Sequence, residues 1–452
     1  MKNRSLLAAA VAMLIAPMGA GLIFFSTTWA QNSGNTTQSA ARGSHGEGSF
    51  NDWANEQPGN RYMIKASDLP QPYATDSASN QSKVVPRPEN AWPKAPEGFK
   101  IDLALTGDLQ TPRTIITAPN GDLFLAESDG NRIRVIRGFG SDGKVQTNSI
   151  FATGLTMPYG IAFYPPGPDP KYVYIGNTNS VVRFPYKNGD MKASGPAETV
   201  VASIPGGGKY GGGHWTRSLV FTNDGKKLLV GVGSKENVGE DPDEKDRADV
   251  LEFNPDGSGE RIYASGIRNP SGLMIHPKTG QLWVAVNERD ALGDDLVPDY
   301  VTHVQEGGFY GWPWYYMGPN QDPRLEGKRP DLKEKVIVPD VLLQSHSAPL
   351  NLTYYNGKQF PAEYDGDLFV TSHGSWNREH RTGYKIIRLY AHDGKATGEY
   401  QDFVTGFVVN DANVWGRPVG ITVARDGSVV FTDDVSNSIW RVTYVGGKGA
   451  AE

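Results

Sequence analysis

Six times along the chain an alternating apolar run meets a polar turn carrying Gly or Pro and doubles back into a second alternating run. The copies read TIITAPNGDLFLAES, GIAFYPPGPDPKYVYIGN, SLVFTNDGKKLLVGVG, GLMIHPKTGQLWVAVNE, LTYYNGKQFPAEYDGDLFVTS and GITVARDGSVVFTDD. Period-two apolarity on both sides of a tight turn is a hairpin signature. Several copies continue through another turn into a third strand, as in NRIRVIR, SVVRFPY, YKIIRLY and NSIWRVTY. A spacing of roughly 50–85 residues lies in or above the range of propeller repeats. Each unit is a small sheet that cannot bury both faces alone, and stacking six around an axis buries them and leaves short edges. The expected fold is therefore all-β, a six-bladed β-propeller of four-stranded blades. One or two β-sandwiches are the alternative, but sandwiches do not usually repeat a whole hairpin at this length.

The chain before the repeats has a different character. MKNRS is a short basic stretch, followed by the apolar LLAAAVAMLIAPMGAGLIFFSTTWA. This reads as a secretory signal with cleavage after Ala30. The run is longer than a usual signal core, so an uncleaved membrane anchor is the alternative. Export to the periplasm is the expectation in either case. Residues 31–94 read as a polar linker or wrapping arm, and 95–447 as the propeller. The 452 residues carry a net charge of −6 and no cysteine. Disulfides, zinc–thiolate sites, iron–sulfur clusters and covalently attached haem are thereby excluded. With no basic cluster, nucleic acid is not expected as a partner.

In a propeller, loops from every blade collect at one mouth of the central channel, so the segments flanking the hairpins carry the chemistry. GGGHWTRSL places His214 at the entrance of the third blade, and imidazole suits proton abstraction. GIRNPSGL brings Arg268 and Asn269 to the equivalent place in the fourth, and WGRPVGI brings Arg417 in the sixth. SHGSWNREHR, at a strand exit of the fifth, holds His373, Trp376, Asn377, Arg378 and Arg381. Arginines converging on one channel imply a multiply anionic ligand. NERDALGDDLVPDY gathers Glu288, Asp290, Asp294, Asp295 and Asp299, oxygen ligands of the kind calcium takes, although not at EF-hand spacing. A solvated acidic loop is the plainer reading. The aromatic GGFYGWPWYYMG that follows could wall a pocket or simply join the core.

Taken in order, HWTRSLVF, GIRNPSGL, VNERDALGDDLVPDYVT, GGFYGWP, SHGSWNR and GRPVGI resemble the soluble pyrroloquinoline-quinone (PQQ) sugar dehydrogenases, the sorbosone and pyranose dehydrogenase branch above all. The resemblance spans residues 95–445 and implies a six-bladed propeller. It implies that His214 is the catalytic base and that Arg268 and Asn269 lie over the quinone oxygens. It further implies that Asp290 and Ala291 offer backbone carbonyls to calcium and that Arg417 holds a cofactor carboxylate. A fifth-blade lysine of the glucose-oxidising members has Arg378 as its substitute here. Ser234 stands where those members orient the base with a carboxylate, and Trp415 replaces a second arginine. The implied activity is oxidation of a sugar, or a sugar-derived aldehyde or alcohol, with electrons passed to an acceptor such as a cytochrome c or a membrane quinone. A calcium-dependent lactonase and a non-catalytic exported propeller binding glycan or protein are the alternatives.

Overall fold

The computed structural model of the chain describes residues 43–207, 212–392 and 394–446. The apolar N-terminal run and the cleavage position after Ala30 lie outside these residues. Among the described residues no helix is long and apolar enough to cross a membrane.

Six sheets form the six blades, and in the first five the four blade strands run antiparallel and in chain order from innermost to outermost. The innermost strands are Pro112–Thr117, Gly160–Tyr164, Leu219–Phe221, Pro270–Ile275, Pro349–Tyr354 and Pro418–Val423. The second strands are Leu123–Glu127, Tyr172–Asn177, Leu228–Val232, Leu282–Val286, Leu368–Ser372 and Val429–Asp433. The sixth blade borrows its outermost strand, Phe99–Thr106, from ahead of the first blade and pairs it with Ser438–Tyr444. Both ends of the propeller chain are thus tied into one sheet.

Inner and second strands pair in the same register in every blade, through Ile115–Leu125, Ile161–Ile175, Leu219–Val230, Leu273–Val284, Leu352–Val370 and Ile421–Phe431. The residue that follows on the second strand is always compact: Ala126, Gly176, Gly231, Ala285, Thr371 or Thr432. It abuts the inner strand of the next blade. A β-carbon on Gly176 would lie 2.3 Å from the Arg217 carbonyl, and one on Gly231 2.5 Å from that of Pro270. Where threonine stands, its hydroxyl bonds across the seam instead, from Thr371 to the Val419 carbonyl and from Thr432 to Arg113 at 2.7 Å.

The remaining seams are closed the same way. Ser128 donates to Pro158 at 2.6 Å, the Gly160 amide to Arg217 at 3.0 Å, Ser218 to Ser271, and Ser271 to Pro349 at 2.8 Å. Every blade-to-blade seam therefore carries a hydrogen bond to a buried carbonyl, each worth about 1 kcal/mol net. The axis is bolted by Tyr159 of blade two, whose hydroxyl reaches the Leu350 carbonyl of blade five at 3.1 Å and packs with Val419 and Trp215. A cavity of about 200 Å³ lined by the inner strands remains along the axis.

Blade five departs from the expected four strands. Arg61–Met63 adds to its outer strand Lys395–Val404, and Gly43–His45 pairs in parallel outside that, making six. The edge of this blade is covered by the chain's own arm. Buried beneath it, Lys385 bonds Glu56 at 2.9 Å and Asp402 at 2.8 Å. The arm then crosses the mouth loops. Tyr73 donates its amide to Leu292, Thr75 and Ser77 accept from the amides of Asp294 and Gly293, and the Asn80 amide donates to Trp376.

Gly176→Ala should cost about 1–3 kcal/mol in urea unfolding, because the new methyl meets backbone that cannot step aside. Wild-type stability would show that the seam has slack.

Candidate active site

His214 sits at the end of a glycine run because its backbone lies almost on top of another. Gly213 has φ 86°, and a β-carbon there would stand 2.3 Å from the Lys235 Cα, while one on Gly233 would meet His214 itself at 2.6 Å. The Ser234 carbonyl accepts from both the His214 amide (3.0 Å) and Nδ1 (2.7 Å). The Ser234 hydroxyl spends its proton on the Glu236 carbonyl at 2.7 Å and stands 3.2 Å from Nδ1 as an acceptor. Nδ1 therefore carries the ring proton, and Nε2, with no hydrogen-bond partner among the described residues, keeps its lone pair. A backbone carbonyl supplies the orientation that the sequence comparison expects of a carboxylate. Buried Arg217 fixes the loop by donating to the carbonyls of His214 and Thr216 at 2.9 and 2.6 Å. Burial, then the positive charge of Arg268, pushes the His214 pKa down to about 3.

Arg268 arrives from the entrance of blade four. It donates to the Glu288 carbonyl at 2.6 Å and to Asn237 Oδ1 at 3.1 Å, with the Asp290 carboxylate 3.6 Å away. Beside it, Asn269 has a buried Oδ1 with no partner. Arg268 is coupled to the acidic loop by Asn237, which the sequence reading did not single out. Its Oδ1 also accepts the Asp290 amide at 2.8 Å, its Nδ2 donates to the Asp290 carbonyl at 2.9 Å, and its own carbonyl accepts from Trp312 at 3.0 Å. The aromatic stretch thus braces the site from behind, with Trp312, Tyr315 and Tyr316 buried.

The acidic loop is largely spent on internal contacts. Glu288 pairs with Arg289 at 2.9 Å, and Asp299 accepts the amides of Glu288 and Ala348 at 2.7 Å each. His346 bridges Asp290 Oδ1 (3.2 Å) and the Gly293 carbonyl (3.0 Å), two acceptors that need both ring protons, and its pKa is raised accordingly against the opposing effect of burial. The Asp290 carbonyl, expected as a metal ligand, accepts from both Asn237 and Arg324, the latter at 2.9 Å. Ala291, in the left-handed region at φ 72°, donates its amide to Asn377 Oδ1 at 2.8 Å, and its carbonyl takes no hydrogen bond from the described residues. Among the described residues no three His, Asp or Glu side chains gather into a ready metal cage.

In the fifth and sixth blades the division of labour is unexpected. Arg378 pairs with Asp295 at 2.8 Å and reaches the carbonyls of Asp294, Phe50 and Asn51 at 3.4 Å, so it clamps loop to arm. Arg381 is wholly buried among carbonyls and Asn80, and Trp415 packs in the core against Phe407 and Trp440. Arg417 is different. Among the described residues its side chain hydrogen-bonds only the carbonyls of His373 and Gly374, at 2.9 and 3.4 Å, and forms no ion pair with a carboxylate. Two further residues join it that sequence reasoning missed. Asp434 bonds His373 Nε2 at 2.9 Å and Arg113 at 3.1 Å, and Arg113 lies over the Trp215 ring at 5.2 Å. The signal for both was positional: Arg113 opens the first repeat, and Asp434 ends the last hairpin.

Because the native pKa of His214 lies below its ordinary 6.5, the folded state binds fewer protons than the unfolded one in between. Its contribution to stability is full above about pH 6.5 and is lost as the pH falls toward the depressed value. An NMR titration of the histidine ring protons, assigned with His214→Gln, should give His214 a midpoint well below pH 5. A midpoint near 6.5 would contradict the burial described.

Comparison with known proteins places the chain in a family. The glucose/sorbosone dehydrogenase family model matches residues 109–377, and a TrAA12-like model matches 326–445. An uncharacterised protein of Borreliella burgdorferi is 32% identical over 362 residues, 78% of this chain and 90% of its own. The aldose sugar dehydrogenase YliI of Escherichia coli is 28% identical over 178 residues, 35% of this chain and 45% of its own length. Among solved structures, the holo form of the PQQ domain of pyranose dehydrogenase from Coprinopsis cinerea superposes with a TM-score of 0.66 at 21% identity, covering 79% of this chain and 98% of that one. The chain belongs to the glucose/sorbosone dehydrogenase family.

Proposed function

We propose that the protein is a PQQ-dependent dehydrogenase oxidising a sugar, or a sugar-derived aldehyde or alcohol. The observation that carries the reading is a neutral imidazole whose Nε2 has no hydrogen-bond partner among the described residues, set in a mouth where Arg417 forms no ion pair with a carboxylate among those residues. The residues fit an anionic quinone. Among the described residues Arg417 has no carboxylate ion-pair partner, Arg113 has a buried Nε without an acceptor, and Asn269 has a buried Oδ1 without a donor. Calcium fits in part, since the Ala291 carbonyl is open whereas that of Asp290 is capped by Asn237 and Arg324. Family membership, and the quinone domain of the fungal pyranose dehydrogenase, support the choice of cofactor.

When bound, the quinone accepts the hydride and a cation polarises its carbonyl. The protein's own work is proton handling and placement. His214 Nε2 takes the proton from the substrate hydroxyl, and the Ser234 carbonyl on Nδ1 holds the ring in that tautomer and stabilises the imidazolium that forms. An aldehyde presents the same hydroxyl as its hydrate. Arg268, held by Glu288 and Asn237, places fixed positive charge where negative charge develops. Arg417 receives a cofactor carboxylate, and the Asn237 bracket keeps Arg268 and the Ala291 loop in one frame. Arg378 serves this site indirectly, by fixing the loop against the arm. Export to the periplasm, and a cytochrome c or membrane quinone as electron acceptor, complete the proposal.

Purified apoprotein mixed with PQQ and calcium should bind the quinone and reduce a dye with an aldose or an aldehyde. His214→Ala should retain quinone binding and lose about 10²–10⁴-fold in turnover. Failure to bind the quinone would sink the reading, and hydrolysis of a lactone without it would replace the reading with a hydrolytic one.

A further inference from the structure

We propose that His373, held by Asp434, is a proton-dependent clamp for an anionic ligand, taking up a proton as a carboxylate docks beside Arg417 and donating Nδ1–H to it. This deepens the cofactor reading above and rests on it. The two mouth histidines are oriented in opposite senses. His214 is tied through Nδ1 and leaves Nε2 open, whereas His373 is tied through Nε2 to Asp434 at 2.9 Å. Nδ1 of His373 has no hydrogen-bond partner among the described residues and is not among the buried unpaired atoms, so it is left open at the channel mouth. Arg417 Nη1 is in the same condition, while its Nε binds the His373 carbonyl. The imidazole and the guanidinium therefore present two open nitrogens from adjoining backbone.

The charged groups facing His373 come from blades one and six. Arg113 and Asp434 form one ion pair at 3.1 Å, Asp433 lies beside Asp434 with its pKa pushed up to about 6 by burial, and Arg417 lies over the Tyr384 ring. Tyr159, buried at the axis, is held neutral by a pKa raised to about 12. Burial and then Arg417 push the His373 pKa down to about 4 in spite of Asp434, so the ring is neutral before an anionic ligand docks. An incoming carboxylate offsets the Arg417 charge and supplies a second acceptor. The protonated ring then has one acceptor for each N–H, Asp434 on Nε2 and the ligand on Nδ1. The proton comes from solvent, and no bond to carbon is made or broken. A permanently charged third arginine at this position would hold a ligand equally well but could not release it by losing a proton.

The test is calorimetric titration of the calcium-loaded apoprotein with PQQ at pH 6.5, in buffers of different ionisation enthalpy, which counts protons taken up on binding. Wild type should take up close to one proton. His373→Gln should abolish the uptake and weaken binding about tenfold, and His373→Arg should restore affinity without uptake. Thermal melts of both variants check that they fold. Binding by wild type without proton uptake, or uptake unchanged in His373→Gln, would overturn the clamp and leave the dehydrogenase reading intact. No binding by wild type would overturn both.

Discussion

Everything at the mouth depends on how closely the blades pack at one position of the second strand. Ala126, Gly176, Gly231, Ala285, Thr371 and Thr432 set the seam, by being too small to push the next blade away or by bonding to it. Side chains two residues apart on a strand share a face. The residue two beyond each seam position is therefore delivered to the channel mouth: Ser128, Thr178, Gly233, Asn287, His373 and Asp434. The same geometry that joins the blades aims the chemistry. A seam wider by an ångström would move His373 of blade five away from Asp434 of blade six and Gly233 of blade three away from Asn269 of blade four.

The electrostatics follow from the same convergence. Cations reach the mouth from four blades through Arg113, Arg268, Arg417 and the protonated His346, while the acidic loop answers chiefly Arg268 and His346, at Asp290. The excess falls on His214 and His373, both kept neutral by burial and an adjacent arginine. An imidazole that is neutral at rest yet has an oxygen waiting on its N–H is able to receive a proton at small reorganisation cost. The carbonyl of Ser234 and the carboxylate of Asp434 play this part for the two rings, with different strength.

The propeller was legible because its signal is repeated. Six hairpins with the same alternation report one architecture, and the compact residue near each strand end is visible once the copies are aligned. Much of the mouth was legible too, since His214, Arg268, Asn269 and Arg417 flank the repeats. The rest could not be read because its meaning depends on which atoms are already engaged. Arg378 and Arg417 look alike in sequence, but the arm brings carbonyls and Asp295 to the first and leaves the second without an anion. Asp290 looked like an open ligand until Arg324, thirty-odd residues onward, was found capping its carbonyl. Asn237 gave no signal at all, because a bracket made of one amide follows no periodicity. The arm read as polar sequence, and its role as a fifth and sixth strand of blade five rests on pairing with a partner more than three hundred residues away.

The Tyr159 bolt turns the propeller's channel into a blind shaft. With the axis crossed between opposite blades, the mouth is a single doorway serving both halves of the proposed reaction. On the proposed reading, the molecule that would give up electrons and the one that would receive them share this threshold, and each would vacate it before the other arrives. Turnover in such a vessel is a matter of taking turns, and crowding by either visitor should delay the other.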